Sequence, residues 1–260
     1  MIYSLVTIPL AIASSARGII TPNSAARASS PIRCVSEFEH YNPHLKEMRE
    51  TARQISRRGH GILATDESTP TAGKRLQTIG ISNDEESRRK FRELLYTSPG
   101  LGKYISGAIM FDETFYQSTA EGKRFTTVLE EQGIAVGVKV DTGLQPLAGT
   151  DGETATQGLD GLAERCRVYY EGGARFVKWR AVFKIGDRMP SERAIAENCN
   201  TLGRYASICQ EHGLMPIVEP EVRRCVGHLQ QQQHIHARNS NPPLLLSDAS
   251  LSPPFFAVSP

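Results

Sequence analysis

The chain has 260 residues, 39% hydrophobic and 22% charged, which is room for one large domain of ordinary globular composition. Thirty basic against 28 acidic residues leave a net charge of +2, removing any electrostatic argument for a nucleic-acid or membrane-surface partner. Cys34, Cys166, Cys199, Cys209 and Cys225 have neither CxxC nor zinc-ligand spacing and read as free thiols of a reducing compartment. No apolar run approaches the roughly 18 residues of a spanning helix.

Residues 1–40 do not read as folded protein. No Asp or Glu precedes Glu37, and Ser, Ala, Arg17, Arg27 and Arg33 set the composition. That is the composition of an organelle transit peptide. Leu5 to Ala13 could serve as a signal core ahead of it, although Pro9 interrupts the run, so a two-part plastid leader is one expectation. An unprocessed, disordered N-terminus is the other, weighed equally.

Residues 41–221 alternate strand and helix. Strands are expected at His60–Thr65, Ile105–Phe111, Ile134–Val140, Arg175–Arg180 and Leu214–Glu219, about 30 to 45 residues apart, the rhythm of a parallel βα architecture. Thr69-Pro70 reads as an N-cap with proline at the first helical position, opening a helix that runs to Gly80. Asn83-Asp84-Glu85-Glu86 is an acidic first turn leading into Phe91, Leu94 and Leu95, and Ser98-Pro99-Gly100 stops it. Leu159, Leu162, Ala163 and Cys166 form an apolar stripe closed by Gly172-Gly173, and a further helix is expected from Pro190 to about His212. From 222 to 260 the pattern dissolves into Gln, Pro and Leu runs, a low-complexity tail expected to be disordered. His228, His234 and His236 there lack the scaffold a metal site needs.

Charges sit at alternating positions inside three of these apolar strands: Lys139; Lys178 with Arg180; Glu219 with Glu221. A parallel sheet buried on both faces normally reads as an unbroken apolar run. A buried charge costs several kcal/mol unless an opposite charge answers it. Residues i and i+2 share a face, so each pair points into one space. Cations and carboxylates converging in a dry interior indicate an active site, against the plainer reading of buried ion pairs that fix the sheet. At Thr69-Pro70 the free N–H groups of a helix start, with Ser68, Thr71, Lys74 and Arg75 around it, suit an anion.

Several segments carry a family resemblance: Gly61 to Thr69 (GILATDEST) with Lys74-Arg75-Leu76, Pro146 to Thr154 (PLAGTDGET), Gln157 to Leu162 (QGLDGL), Phe176 to Arg180 (FVKWR) and Pro216 to Glu221 (PIVEPE). Together, from about Pro43 to Glu221, they resemble class I fructose-1,6-bisphosphate aldolase. The resemblance implies a (β/α)8 TIM barrel that cleaves fructose 1,6-bisphosphate reversibly into dihydroxyacetone phosphate and glyceraldehyde 3-phosphate, in glycolysis or gluconeogenesis or the Calvin cycle. It uses a lysine Schiff base and neither metal nor other cofactor. It also implies a site at the carboxyl ends of the strands and a homotetramer. By resemblance Asp66 handles the C4 hydroxyl with Lys139 beside it. Lys178 stabilises developing negative charge near Arg180. Glu219 is the general acid/base of imine formation, and Glu221 is its companion. Ser68, Thr71 and Arg75 surround a phosphate, and Arg88 matches a substrate-site arginine.

The family's nucleophilic lysine lies on the sixth strand, whereas no lysine follows Lys184 here. The expectation is therefore an incomplete barrel of about five βα units, open at two edges, marginally stable or aggregation-prone, and inactive as it stands. Two rival readings are a non-catalytic protein that binds aldolase subunits or a cytoskeletal partner through Arg88, Arg89 and Arg92, and a site in which Lys178, its pKa depressed beside Arg180, replaces the nucleophile. The leader points to a plastid; the alternative is the cytoplasm.

Overall fold

The computed structural model describes residues 2–3 and 42–224. Helix α1 (Leu45–Ile55) precedes five parallel strands, β2 (Gly61–Thr65), β3 (Ile105–Met110), β4 (Ala135–Lys139), β7 (Phe176–Ile185) and β8 (Met215–Arg224), which lie side by side in that order. A two-residue strand β1 (Ile2–Tyr3) pairs antiparallel with the outer edge of β2. An unpaired edge offers such hydrogen bonds. Between the strands run α2 (Thr69–Gln77), α3 (Glu85–Tyr96), α4 (Asp112–Phe115), α5 (Phe125–Glu130), α6 (Leu162–Glu171) and α7 (Glu192–Glu211). The parallel order is the one the strand rhythm predicts, and the sheet curls into half of a barrel, the incomplete barrel that the resemblance implies. No helix among the described residues is long and apolar enough to cross a membrane.

The two faces of the sheet are assembled from alternating residues. Outward-facing Leu63, Met110, Val136, Val138, Val177, Trp179 and Ala181 pack under the helices with Tyr96, Leu162, Cys166 and Tyr205, forming the main core. Trp179 is fully buried and lies 5.2 Å from the Tyr205 ring, while the Tyr205 hydroxyl donates to Val177 O and Ile217 O, joining α7 to two strands. Inward-facing Ile62, Ile109, Ala135 and Phe176 form a second cluster at the lower end, completed by Ile55 of α1. Gly137 makes this possible: a Cβ there would lie 2.2 Å from the Phe176 ring.

Caps place the helices. Asp84 accepts from Ser87 N at 2.7 Å to open α3, and Ser191 accepts from Ala194 N at 3.2 Å to open α7. At α2 the expected cap moves by one residue. Ser68, not Thr69, is the N-cap, with extended backbone and Pro70 inside the first turn. The antiparallel hairpin β5 (Gly143–Pro146) and β6 (Thr154–Gln157) was not foreseen. It is tied down by Thr156 Oγ1 donating to Arg180 O and by Asn198 Nδ2 donating to Thr154 O. Strands β7 and β8 each run for ten residues, so β8 carries regular structure past residue 221, where the low-complexity tail was expected to start. The rest of that tail, and the leader beyond Ile2–Tyr3, lie outside the described residues.

Candidate active site

The upper end of the inner surface holds the charges. Asp66 follows the last residue of β2, Lys139 ends β4, and Lys178, Arg180, Glu219 and Glu221 occupy β7 and β8. Register sets their heights: Lys139 pairs with Lys178, and Arg180 with Glu219. Two ammonium groups therefore occupy neighbouring strands, and each has its own carboxylate. Lys139 Nζ lies 2.8 Å from Asp141 Oδ1. Lys178 Nζ lies 2.7 Å from Asp66 Oδ2 and 3.0 Å from Glu219 Oε2. Arg180 Nε pairs with Glu221, whose other oxygen is 2.6 Å from Arg223 Nε. The Arg180 backbone N–H also reaches Asp141 Oδ2 at 3.4 Å.

Lys178 sits at the centre. Its side chain is 10% exposed, that of Asp66 11% and that of Glu219 31%. Burial by itself pushes the Lys178 pKa down, but the Asp66 and Glu219 carboxylates outweigh it and the net shift is upward. Lys178 is thus held as an ammonium. This corrects the expectation of a depressed pKa: Arg180 is drawn to Glu221 rather than to Lys178. For Glu221, burial raises the pKa, yet hydrogen bonds from Arg180 and Arg223 prevail and it falls. Glu219 Oε2 is buried at ion-pair distance from Nζ but accepts no aligned hydrogen bond among the described residues. Exposure increases toward β8, so Glu219 is the carboxylate of the trio that an incoming molecule meets first. A fixed cation between two carboxylates can stabilise negative charge developing on oxygen and can pass a proton to either side.

The expected anion site is partly assembled. Ser68 Oγ and Thr71 Oγ1 lie 3.1 Å apart at the N-terminus of α2, two residues beyond Asp66. Arg75 turns to Glu67 in an ion pair. Arg88 is not gathered with this group: it clamps Glu113 through two hydrogen bonds of 2.8 and 2.6 Å and reaches Asn83 Oδ1 at 3.0 Å. The arginines proposed as a docking face are likewise engaged, Arg89 with Glu86 and Glu93 and the buried Arg92 with Glu67 at 2.8 Å. The helix face therefore offers little free positive charge.

Sequence reasoning missed Asp141, Glu67 and Glu113, which answer Lys139, Arg75 with Arg92, and Arg88. Asp141 could have been found, since it stands two residues beyond Lys139, close enough for an extended chain to turn both side chains the same way. Glu113 carries no such signal, because its partner is 25 residues away.

A parallel βα sheet curled as half a barrel, with its ionisable cluster at the carboxyl ends of β2 and β4 and at the level they face on the longer β7 and β8, belongs to the TIM-barrel class of enzymes. A family model described as "Glycolytic: Fructose-bisphosphate aldolase class-I" matches residues 47–238, beyond the Glu221 at which the quoted motifs stop. The chain belongs to the class I fructose-bisphosphate aldolase family. It is 59% identical over 176 residues to the cytosolic fructose-bisphosphate aldolase 4 of Arabidopsis thaliana, covering 68% of this chain and 45% of that protein. It is 56% identical over 189 residues to the fructose-bisphosphate aldolase of Dictyostelium discoideum, covering 72% and 53%. Among solved structures it superposes with TM-score 0.68 and 48% identity on Plasmodium falciparum fructose-bisphosphate aldolase, covering 69% of this chain and 52% of that one; that aldolase was crystallised with TRAP and a small-molecule inhibitor. The chain spans about half the length of these relatives.

Proposed function

We propose that residues 41–221 carry the proton-handling half of a fructose-bisphosphate aldolase site, acting on fructose 1,6-bisphosphate in reversible cleavage to dihydroxyacetone phosphate and glyceraldehyde 3-phosphate. The observation that carries this reading is Lys178 Nζ held between Asp66 and Glu219 at 2.7 and 3.0 Å. In cleavage, Asp66 takes the proton of the C4 hydroxyl as the C3–C4 bond breaks. Lys178 offsets the negative charge that develops on oxygen. Glu219, the more accessible carboxylate, gives and takes the proton when an amine adduct of the carbonyl gains or loses water, and Glu221 with Arg180 shapes the ground beside it. Lys139, on β4 beside Lys178 and held by Asp141, adds a second positive charge on the same inner surface. Ser68, Thr71 and Arg75 receive a phosphate at the start of α2, and Arg88 supports that region from outside through Asn83, whose amide donates to Thr69 O.

Covalent chemistry needs a neutral amine as nucleophile. Lys178 is kept charged by its two carboxylates, and residues 185–260 contain no lysine. These 260 residues alone are therefore expected to form no imine. The relatives include cytosolic and cytoplasmic isozymes, which favours the cytoplasm as the place of action; a tetramer is the family's usual assembly.

Two experiments test the reading. The chain is incubated with dihydroxyacetone phosphate and borohydride, and lysine adducts are mapped by mass spectrometry: no adduct is expected, and one on Lys178 would overturn its assigned role. Residues 42–221 are also exchanged into the Dictyostelium relative. Retained cleavage that Lys178→Met lowers by roughly a thousandfold, about 4 kcal/mol of transition-state stabilisation, supports the reading. Cleavage unaffected by Lys178→Met contradicts it.

A further inference from the structure

Cys166 in α6 and Cys209 in α7 take no part in the site above. Their sulfurs lie 3.6 Å apart, and both side chains are fully buried. They share the core cluster with Leu162, Tyr169, Trp179 and Tyr205. Helix α6 leads into β7 and α7 leads into β8, so the pair joins the helices that precede the strands bearing Lys178 and Glu219. At this separation an approach of about 1.6 Å reaches a disulfide bond length. Shifts along two helix axes or a change in χ1 at either cysteine would supply it without unpairing a strand. The two sulfurs differ. The hydrogen bond with Cys209, helped by the charge of Arg165, lowers the Cys166 pKa, whereas burial pushes Cys209 up. Cys166 is the sulfur better able to carry negative charge.

We propose that Cys166 and Cys209 are a thiol-pair modification site that closes to an intramolecular disulfide on exposure to a peroxide, clamping α6 to α7. The Cys166 thiolate attacks one oxygen of hydrogen peroxide, the O–O bond breaks, and hydroxide leaves with the proton Cys166 had released, as water. Cys209 sulfur then attacks the Cys166 sulfur, the S–O bond breaks, and the departing hydroxide takes the Cys209 proton as a second water. Two thiols are oxidised by two electrons and one peroxide is reduced. Hydrogen peroxide is small enough to enter a core that opens locally. Cys199, exposed and also a free thiol, is the internal comparison.

The test treats the folded 260-residue chain with graded hydrogen peroxide, alkylates the remaining thiols, and maps peptides without reductant. The expected result is a dominant linked peptide joining Cys166 to Cys209, with loss of two hydrogen atoms, reversed by dithiothreitol. It should vanish in Cys166→Ala and in Cys209→Ala and persist in Cys199→Ala. The oxidised chain should also melt at a higher temperature, since the link constrains the unfolded state. Cys166 and Cys209 still alkylatable after peroxide, sulfinic acid on either in place of the link, or a link that forms only in urea would each overturn the proposal. Should an alanine variant fail to fold, the map of the unsubstituted chain decides.

Discussion

At the lower end of the inner surface, Ile55, Ile62, Ile109, Ala135 and Phe176 exclude water. At the upper end of the same strands, Asp66, Lys139, Lys178 and Glu219 keep charges in side chains that are largely withdrawn from solvent. Strand period decides which face a residue joins, while position along the strand decides its chemistry. The lower end is self-sufficient, because apolar contacts have no directional demand. The upper end depends on partners from other strands, since a buried charge left alone costs more than the pair contributes.

Breaking the apolar end should produce the largest effect. Phe176→Ala removes the ring that lies over Gly137 and is expected to cost about 3–5 kcal/mol, measured by denaturant unfolding. A loss below about 1 kcal/mol, no more than a surface substitution costs, would show that the lower cluster is not a packed core. At the charged end, Lys178→Met leaves Asp66 and Glu219 facing each other without their cation, and about 3 kcal/mol should be lost. Adding Asp66→Asn should return part of it. If the double variant is instead less stable than the single one by the full cost of Asp66→Asn alone, the residues are not coupled.

Smaller effects sharpen the contrast by probing groups away from both ends. Ser191 caps α7 and donates from Oγ to the buried Glu153 at 2.5 Å. Ser191→Ala should cost about 1 kcal/mol without altering the charged cluster. The smallest effect is a pH dependence at the α3 cap. The Ser82 hydroxyl, then the Ser87 N–H, lower the Asp84 pKa from 3.8 to about 2. A lowered folded-state pKa means the contribution is complete above the unfolded value and disappears as pH falls from about 4 to about 2. Asp84→Asn keeps the cap but does not titrate, so its thermal midpoint should fall less steeply across that window. Parallel curves would remove Asp84 from the account.

Much of the fold could be read in the chain because its signals are local. Alternating strand and helix, the acidic start of α3 and the glycines after α6 all act over a few residues. So does the i, i+2 spacing that placed Lys178 with Arg180 and Glu219 with Glu221 on common faces. The hairpin β5–β6 escaped because its strands are four residues each and Gly143–Pro146 carries no β-branched residue, while its place is held by Arg180 O and Asn198 from distant segments. The ion-pair partners escaped for the same reason. Nothing in FVKWR reveals that Lys178 will meet Asp66, 112 residues earlier, rather than its neighbour Arg180's counter-ion. Register, which depends on every strand at once, makes that choice.

The role given to Lys178 is tested most directly by titrating its ammonium, observed by NMR of selectively labelled lysine side chains. With two carboxylates around it, Lys178 should lose its proton at a pH above the ordinary lysine value of 10.5. A midpoint below that value would mean that burial, rather than Asp66 and Glu219, governs the group, and would restore Lys178 as a nucleophile.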